Sequence, residues 1–216
     1  MSEPVKRQYR SDLRSAQAAQ TRRVIREAAA DLFVRQGYAS TSMREVATAA
    51  GVAERTVYVV FPSKPALFQQ TLGVAVGGDE ADLKVHERTQ MLELLASLDP
   101  HAVLAHSVAL GADLLDRAGD LIMVGVEAAG SDADMRAMSD AGAKATYTGY
   151  AAVARHLADL GALRADLSPT EAADVMYALG SPFTHQLLRR HRRWSSSRYR
   201  AWLLATLTQQ LLNDDC

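Results

Sequence analysis

Two arginines and a serine between positions 42 and 55 have the residue types and spacing that could do chemistry. The guanidinium groups of Arg44 and Arg55 can each donate two hydrogen bonds to one planar edge, such as guanine O6 and N7. Ser42 precedes Glu45 by three residues, the spacing of a helix-capping box. The exposed N–H groups of a helix start favour an anion such as phosphate. All three are candidate nucleic-acid contacts, and a solvated helix position is the alternative for both arginines.

The elements that must position these side chains are two short helices joined by a glycine. The first starts near Ser42 and runs to Ala50, and Gly51 suits a tight turn. The second runs from Glu54 to about Phe61, with its N-terminal part left exposed. This pattern predicts a helix-turn-helix, whose second helix enters a DNA major groove.

The same segment resembles the TetR family of transcriptional repressors. The matching residues are Thr41, Ser42, Val46, Ala47, Ala50, Gly51, Val52, Arg55, Thr56, Val57, Tyr58, Phe61, Lys64 and Leu67. The resemblance covers about residues 17–70. It implies that Thr56 and Tyr58 bond phosphates or a base edge and that Lys64 clamps the DNA backbone. Simple packing is the alternative for Tyr58.

The sequence departs from the family pattern at three positions of the second helix. Ala53 stands where a capping Ser or Thr is usual, which weakens the helix start by about 1 kcal/mol. Val59 and Val60 stand where polar or aromatic residues often contact DNA. Fewer polar side chains would then recognise the bases, and Val59 could instead contact the methyl group of a thymine.

The helices around this motif complete a predicted DNA-binding domain over residues 17–64. A first helix should run from about Ser15 to Gln36 and end at Gly37. Ser63 should cap a fourth helix that has Pro65 in its first turn. Residues 1–16 are predicted to be a flexible basic arm, which either contacts DNA or serves only as a solubilising tail.

The charge distribution supports this division. Residues 1–64 carry 11 Lys and Arg against 6 Asp and Glu, whereas residues 65–216 carry 13 against 19. A basic amino-terminal part favours an anionic partner.

Residues 65–216 have helical periodicity throughout, with no strand alternation, so we predict an all-α chain: an N-terminal three-helix helix-turn-helix domain and a C-terminal helical ligand-binding and dimerisation domain. The four middle helices are predicted at Glu80–Leu98, Pro100–Ala118, Asp120–Ala129 and Ala133–Leu160.

Two late helices, Ser168–Arg190 and Ser197–Asn213, are the candidates for a homodimer interface, as in other family members. Closing the monomer's own core is the alternative for both. The run Arg189–Arg193 is interpreted as a solvated corner between them.

The resemblance also implies a pocket for a small lipophilic effector in the middle helices. The candidate lining residues are His106, Met123, Glu127, Tyr147, Tyr150 and Phe183. A ligand site needs mostly apolar walls with a few polar anchors, and ordinary core packing is the alternative for each residue.

Other classes of protein find little support. The chain lacks H-E-x-x-H, G-x-S-x-G, P-loop and G-x-G-x-x-G motifs, so we expect no enzyme, no metal and no cofactor. Its one cysteine, Cys216, fits a reducing cytoplasm, and no run of about 20 apolar residues predicts a membrane span.

The expected function is a repressor released from a palindromic operator by a small-molecule effector. A transcriptional activator or a helical adaptor protein on the same scaffold is the alternative.

Overall fold

A computed structural model describes the backbone of residues 4–78 and 89–213 and the side chains of residues 16–78 and 90–213. These ranges contain helices and no strand. The helices are α1 Pro4–Ser40, α2 Met43–Ala50, α3 Glu54–Val60, α4 Lys64–Gly77, α5 Thr89–Ala96, α6 Pro100–Ala128, α7 Ala133–Asp159, α8 Pro169–Leu179, α9 Pro182–Gln186, a π-helical segment Leu187–His191 and α10 Ser196–Leu211. The predicted all-α class is confirmed.

The chain divides into two compact units, Met1–Leu72 and Gly73–Cys216. In the first unit, α1 buries Ile25, Ala29 and Phe33 completely, a spacing of four that places them on one helix face. Gly37 interrupts the helical backbone with φ of 82°, at the predicted end of the first helix.

Two further expectations concern the ends of helices in this unit. Ser63 caps α4 as predicted, its hydroxyl oxygen accepting the Ala66 N–H at 3.3 Å. The first helix begins at Pro4, well before the predicted start near Ser15, and therefore extends into the segment predicted to be a flexible arm. Proline suits the first helical position because its missing N–H would have no helical partner there.

The second unit has its core between α6, α7, α8 and α10, and α7 has nearly the predicted bounds. The predicted break between Pro100–Ala118 and Asp120–Ala129 is wrong, because α6 continues through Gly119. A Cβ at Gly119 would lie 3.5 Å from His185 Nδ1. Gly119 therefore lies inside a continuous helix that packs beside His185, and it does not end a helix.

The predicted helix Ser168–Arg190 is divided in the structure. The capping box at its start is present, but α8 ends at Gly180, and Ser181 caps a new helix with Pro182 at its first position. The last helix, α10, begins one residue before the range predicted from sequence and ends two residues before the end of that range. Part of the predicted helix Glu80–Leu98 lies outside the described residues, and α5 occupies its end.

No helix among the described residues is both long and apolar enough to cross a membrane.

Candidate nucleic-acid interface

Helix α2 is capped at both ends by the residues that the sequence predicted to lie there, Ser42 and Gly51. The Ser42 hydroxyl oxygen accepts the Glu45 N–H at 3.2 Å, and Glu45 Oε2 accepts the Ser42 N–H at 2.8 Å and its hydroxyl at 2.7 Å. The Ser42 hydroxyl bond, followed by the backbone bond, holds the pKa of Glu45 below its ordinary value. Gly51 then ends α2 with φ of 67°, and Val52 N–H bonds the Ala47 carbonyl at 3.0 Å.

Helix α3 is anchored through one side and presents the other to solvent. Val57 is fully buried. Arg55 and Val59 lie two residues before and after it, and a period of 3.6 residues puts both on the opposite face. Arg55 is exposed, and Val59 and Tyr58 are 77% and 48% exposed. Ala53 makes no side-chain cap bond at the helix start, as expected for alanine.

The predicted DNA-binding residues differ in their surroundings. Arg44, Arg55 and Tyr58 are exposed, and Thr56 is half-buried. Ser42 is exposed too, yet its hydroxyl hydrogen is already donated to Glu45, so a phosphate bond to this hydroxyl would compete with the capping box.

Lys64 has partners inside the first unit. Its ammonium group donates to the carbonyls of Tyr38 at 2.9 Å and Thr41 at 3.1 Å, with a longer contact to Ala39 at 3.5 Å. It also lies 4.3 Å from the centroid of the Tyr38 ring. Lys64 therefore joins the start of α4 to the link between α1 and α2, a role that its sequence spacing did not indicate.

Aromatic rings fill the space beneath this link. Phe33, Tyr38 and Phe68 form a cluster with centroids 5.1 to 5.8 Å apart. On α1, Arg22 donates to the Gln70 side chain at 3.0 Å and lies over the Phe61 ring. The helix-turn-helix thus packs against an aromatic core.

A small cavity among the described residues of the second unit has a buried hydroxyl in its wall. The lining residues are Ser107, Val108, Gly111, Leu115, Tyr150, Gly180, Tyr199, Leu203 and Leu207, and the free space is about 10 Å³, room for roughly one water molecule. The Tyr199 hydroxyl is buried without a hydrogen-bond partner among the described residues. The Tyr150 hydroxyl donates to the Gly180 carbonyl at 3.3 Å, and burial raises the pKa of Tyr150 to about 12. Both hydroxyls are therefore neutral donors.

The six predicted ligand residues do not share this cavity. Tyr150 lines it. Met123 is buried and Tyr147 is half-buried, whereas His106, Glu127 and Phe183 are exposed. Tyr199 was missed because a tyrosine in an amphipathic helix gives no sequence signal that its hydroxyl is unpaired.

The Asp116 carboxylate on α6 accepts hydrogen bonds from residues that follow α8 in the chain. Asp116 accepts hydrogen bonds from His185 Nε2 at 3.2 Å, from Arg189 Nε at 3.2 Å and from Arg200 Nη2 at 3.3 Å. The ring of His185 meets that of Tyr199 edge to face at 5.0 Å. Burial lowers the pKa of His185, and the Asp116 bond opposes that shift.

The prediction that Arg189–Arg193 is a solvated corner holds for only part of the run. Arg189 pairs with Asp116, and Arg190 Nε donates to Asp120 at 3.0 Å. Arg192 and Arg193 are exposed. The aspartates of α6 lie opposite this turn, a juxtaposition that local sequence cannot indicate. Among the described residues, no group of three or more His, Cys, Asp or Glu could hold a metal ion.

Known structures share the fold of this chain. One is the crystal structure of NalD, the secondary repressor of the MexAB-OprM multidrug efflux pump in Pseudomonas aeruginosa, with TM-score 0.70, 22% identity and coverage of 92% of this chain and 99% of that one. A second is a protein from Saccharomonospora viridis in complex with choline, with TM-score 0.70, 21% identity and coverage of 90% and 99%. A third is the SmeT–triclosan complex, with TM-score 0.65, 20% identity and coverage of 90% and 93%.

The search of curated protein sequences found no match. The capped α2, the left-handed Gly51 and the exposed face of α3 define a helix-turn-helix DNA-binding protein. Residues 25–71 match the family model of bacterial regulatory proteins of the tetR family. This match confirms the resemblance seen in the motif residues: the chain carries the DNA-binding segment typical of tetR-family regulatory proteins.

Proposed function

We propose that this protein is a cytoplasmic repressor that binds a palindromic operator as a homodimer and is released by a small, neutral, lipophilic effector. The observation that carries the proposal is the outward face of α3, where Arg55, Tyr58 and Val59 stand exposed on a helix that is anchored by Val57. Exposed residues of such a helix read base edges in the major groove.

The homodimer is proposed from two exposed apolar side chains near α9. Phe183 and Leu187 are 58% and 56% exposed and lie four residues apart, one helical turn, in the late helices predicted to pair. Covering both with a second copy would remove apolar surface from water. A two-fold dimer reads two half-sites one helical turn or more apart, which explains why the operator should be palindromic.

The effector is proposed to bind where Tyr150 and Tyr199 line the cavity, whose walls would have to move apart to admit it because the free space of about 10 Å³ holds roughly one water molecule. Both hydroxyls are neutral, the remaining walls are mostly apolar, and none of the described residues that line the space is charged. A neutral molecule with one oxygen acceptor would satisfy the Tyr199 hydroxyl, because a buried donor without a partner costs about 1–3 kcal/mol. Proteins with this fold have been crystallised with choline and with triclosan, which supports a small-molecule ligand for this protein.

Release from DNA would follow from linkage. Helix α4 starts in the first unit and ends in the second, so a ligand that favours one position of this helix would change DNA affinity. The ligand and the operator must then weaken each other's binding by the same factor.

The test is selection of a binding site from random duplex DNA, followed by footprinting of the selected site with and without metabolite extract. We expect a palindrome, a steep loss of affinity with salt and weaker protection in the presence of extract. Arg55→Ala should relax the preference at one base pair of each half-site, whereas Arg117→Ala, on α6, should change no preference.

Absence of duplex binding would overturn the proposal in favour of an adaptor protein. A reporter gene behind the selected site distinguishes the direction of regulation, since an activator would raise its expression.

A further inference from the structure

Helix α3 carries a strongly exposed apolar side chain on its outward face. Val59 is 77% exposed, more than Tyr58 at 48% or Val34 at 43%, the other exposed large apolar side chains that the structure describes in the first unit. A valine has no hydrogen-bond donor or acceptor in its side chain. Its partner in a complex must therefore offer an apolar group.

Val59 shares its face of α3 with Arg55, one helical turn earlier. Four residues advance an α-helix by about 6 Å, and successive base pairs of B-DNA are about 3.4 Å apart. Two side chains with this separation reach bases that lie one or two steps apart. The guanidinium group of Arg55 and the side chain of Val59 are therefore spaced to contact neighbouring base pairs of one half-site.

The major groove offers one apolar group for such a contact, the 5-methyl group of thymine. We infer that Val59 specifies a thymine through its methyl group, one or two base pairs from the base pair that Arg55 contacts. This inference rests on the proposed operator binding and deepens it, because it names the base and the atom that the second residue recognises.

The experiment removes the methyl group and leaves every hydrogen-bonding group of the base in place. In the selected operator, each thymine is replaced in turn by deoxyuridine, and the dissociation constant is measured for the wild type, Val59→Ala and Val34→Ala. Replacing one particular thymine of each half-site by deoxyuridine should weaken wild-type binding about fourfold. The same change should have a clearly smaller effect on Val59→Ala, which keeps only the Cβ, and should keep its full effect on Val34→Ala.

A second measurement adds the methyl group to a different base. At the same position, a cytosine in place of thymine should weaken binding. Replacing that cytosine by 5-methylcytosine should then strengthen wild-type binding about fourfold. Val59→Ala should gain clearly less from this added methyl group. Val59→Thr keeps one of the two methyl groups and the branched shape, so it should retain part of the preference. Thermal melts of each variant establish that the fold is intact.

The outcomes separate this inference from the proposed function. Specific binding in which no deoxyuridine change depends on residue 59 would overturn the thymine contact alone. Absence of any specific binding to duplex DNA would overturn both.

Discussion

Lys64 and Tyr38 are joined twice, by a hydrogen bond from the ammonium group to the Tyr38 carbonyl at 2.9 Å and by the approach of that group to within 4.3 Å of the ring centroid. A second carbonyl, of Thr41, lies 3.1 Å away. The resemblance to the TetR family implied that this lysine clamps the DNA backbone. Its hydrogen bonds within the first unit give Lys64 a structural role, because they hold the start of α4 against the residues that precede α2.

Replacing this lysine should therefore affect stability as well as DNA binding. Lys64→Met keeps the aliphatic stem but removes the donors, and hydrogen bonds of charged groups contribute about 1.5–3 kcal/mol. We expect a loss of that order in the free energy of unfolding, measured by urea denaturation. Operator affinity should fall at all sequences, with the salt slope unchanged.

A phosphate clamp predicts a different result for the same variant. Loss of one phosphate contact would reduce the salt slope by about 1 and leave the stability of the free protein unaltered. Lys144→Met, which removes an exposed lysine of α7, is the control for a general charge effect.

Ser42 and Ser168 form the same capping box in different units, and this likeness permits a matched test. Each hydroxyl oxygen accepts the N–H of a glutamate three residues later, at 3.2 and 3.3 Å. Serine to alanine at such a position costs about 1 kcal/mol, so both variants should lower the free energy of unfolding similarly. Gel-shift titration should show weaker operator binding for Ser42→Ala only, and equal binding by both variants would exclude a phosphate contact at Ser42.

Interactions between residues close in sequence could be predicted in this protein, because they are dictated by backbone geometry. Ser42, Gly51 and Ser168 were assigned to helix ends, and the structure places them there. Each depends on partners within five residues. The outward face of α3 follows equally from a period of 3.6 residues around Val57.

Relationships between residues far apart in sequence could not be predicted, because nothing local encodes them. Lys64 binds a carbonyl 26 positions earlier, and Gly119, predicted to lie at a break between helices, is inside α6 and packs beside His185. The unpaired Tyr199 hydroxyl also depends on which helices surround it. The candidate DNA surface was thus visible in the sequence, whereas the candidate cavity required the packed structure.

The buried His185 should make stability depend on pH. Burial lowers its pKa below the ordinary 6.5, against the opposing effect of Asp116. The unfolded chain then binds more protons at this group than the folded chain, so the free energy of unfolding rises with pH across that interval. The contribution of the neutral ring is complete above about pH 6.5 and is lost as the pH falls towards the lowered pKa.

The contribution of His185 to the free energy of unfolding should be measurable by denaturation between about pH 5 and pH 8. His185→Gln should flatten the profile in the acidic part of that range, whereas His106→Gln, at an exposed position of α6, should not. Parallel profiles for the wild type and His185→Gln would contradict the assignment.

Gly180 is required for the position of the Tyr150 ring. A Cβ at this glycine would meet the Tyr150 hydroxyl directly and would lie 2.9 Å from the Tyr150 Cζ and the Met176 carbonyl. Gly180→Ala must therefore displace the ring from the cavity wall, and overpacking of this kind typically costs about 1–3 kcal/mol. We expect the melting temperature to fall, and Tyr150→Phe should recover part of that loss in the double variant because it removes the clashing oxygen. If the two losses simply add, the ring and the glycine are not in contact, and the cavity has a different wall.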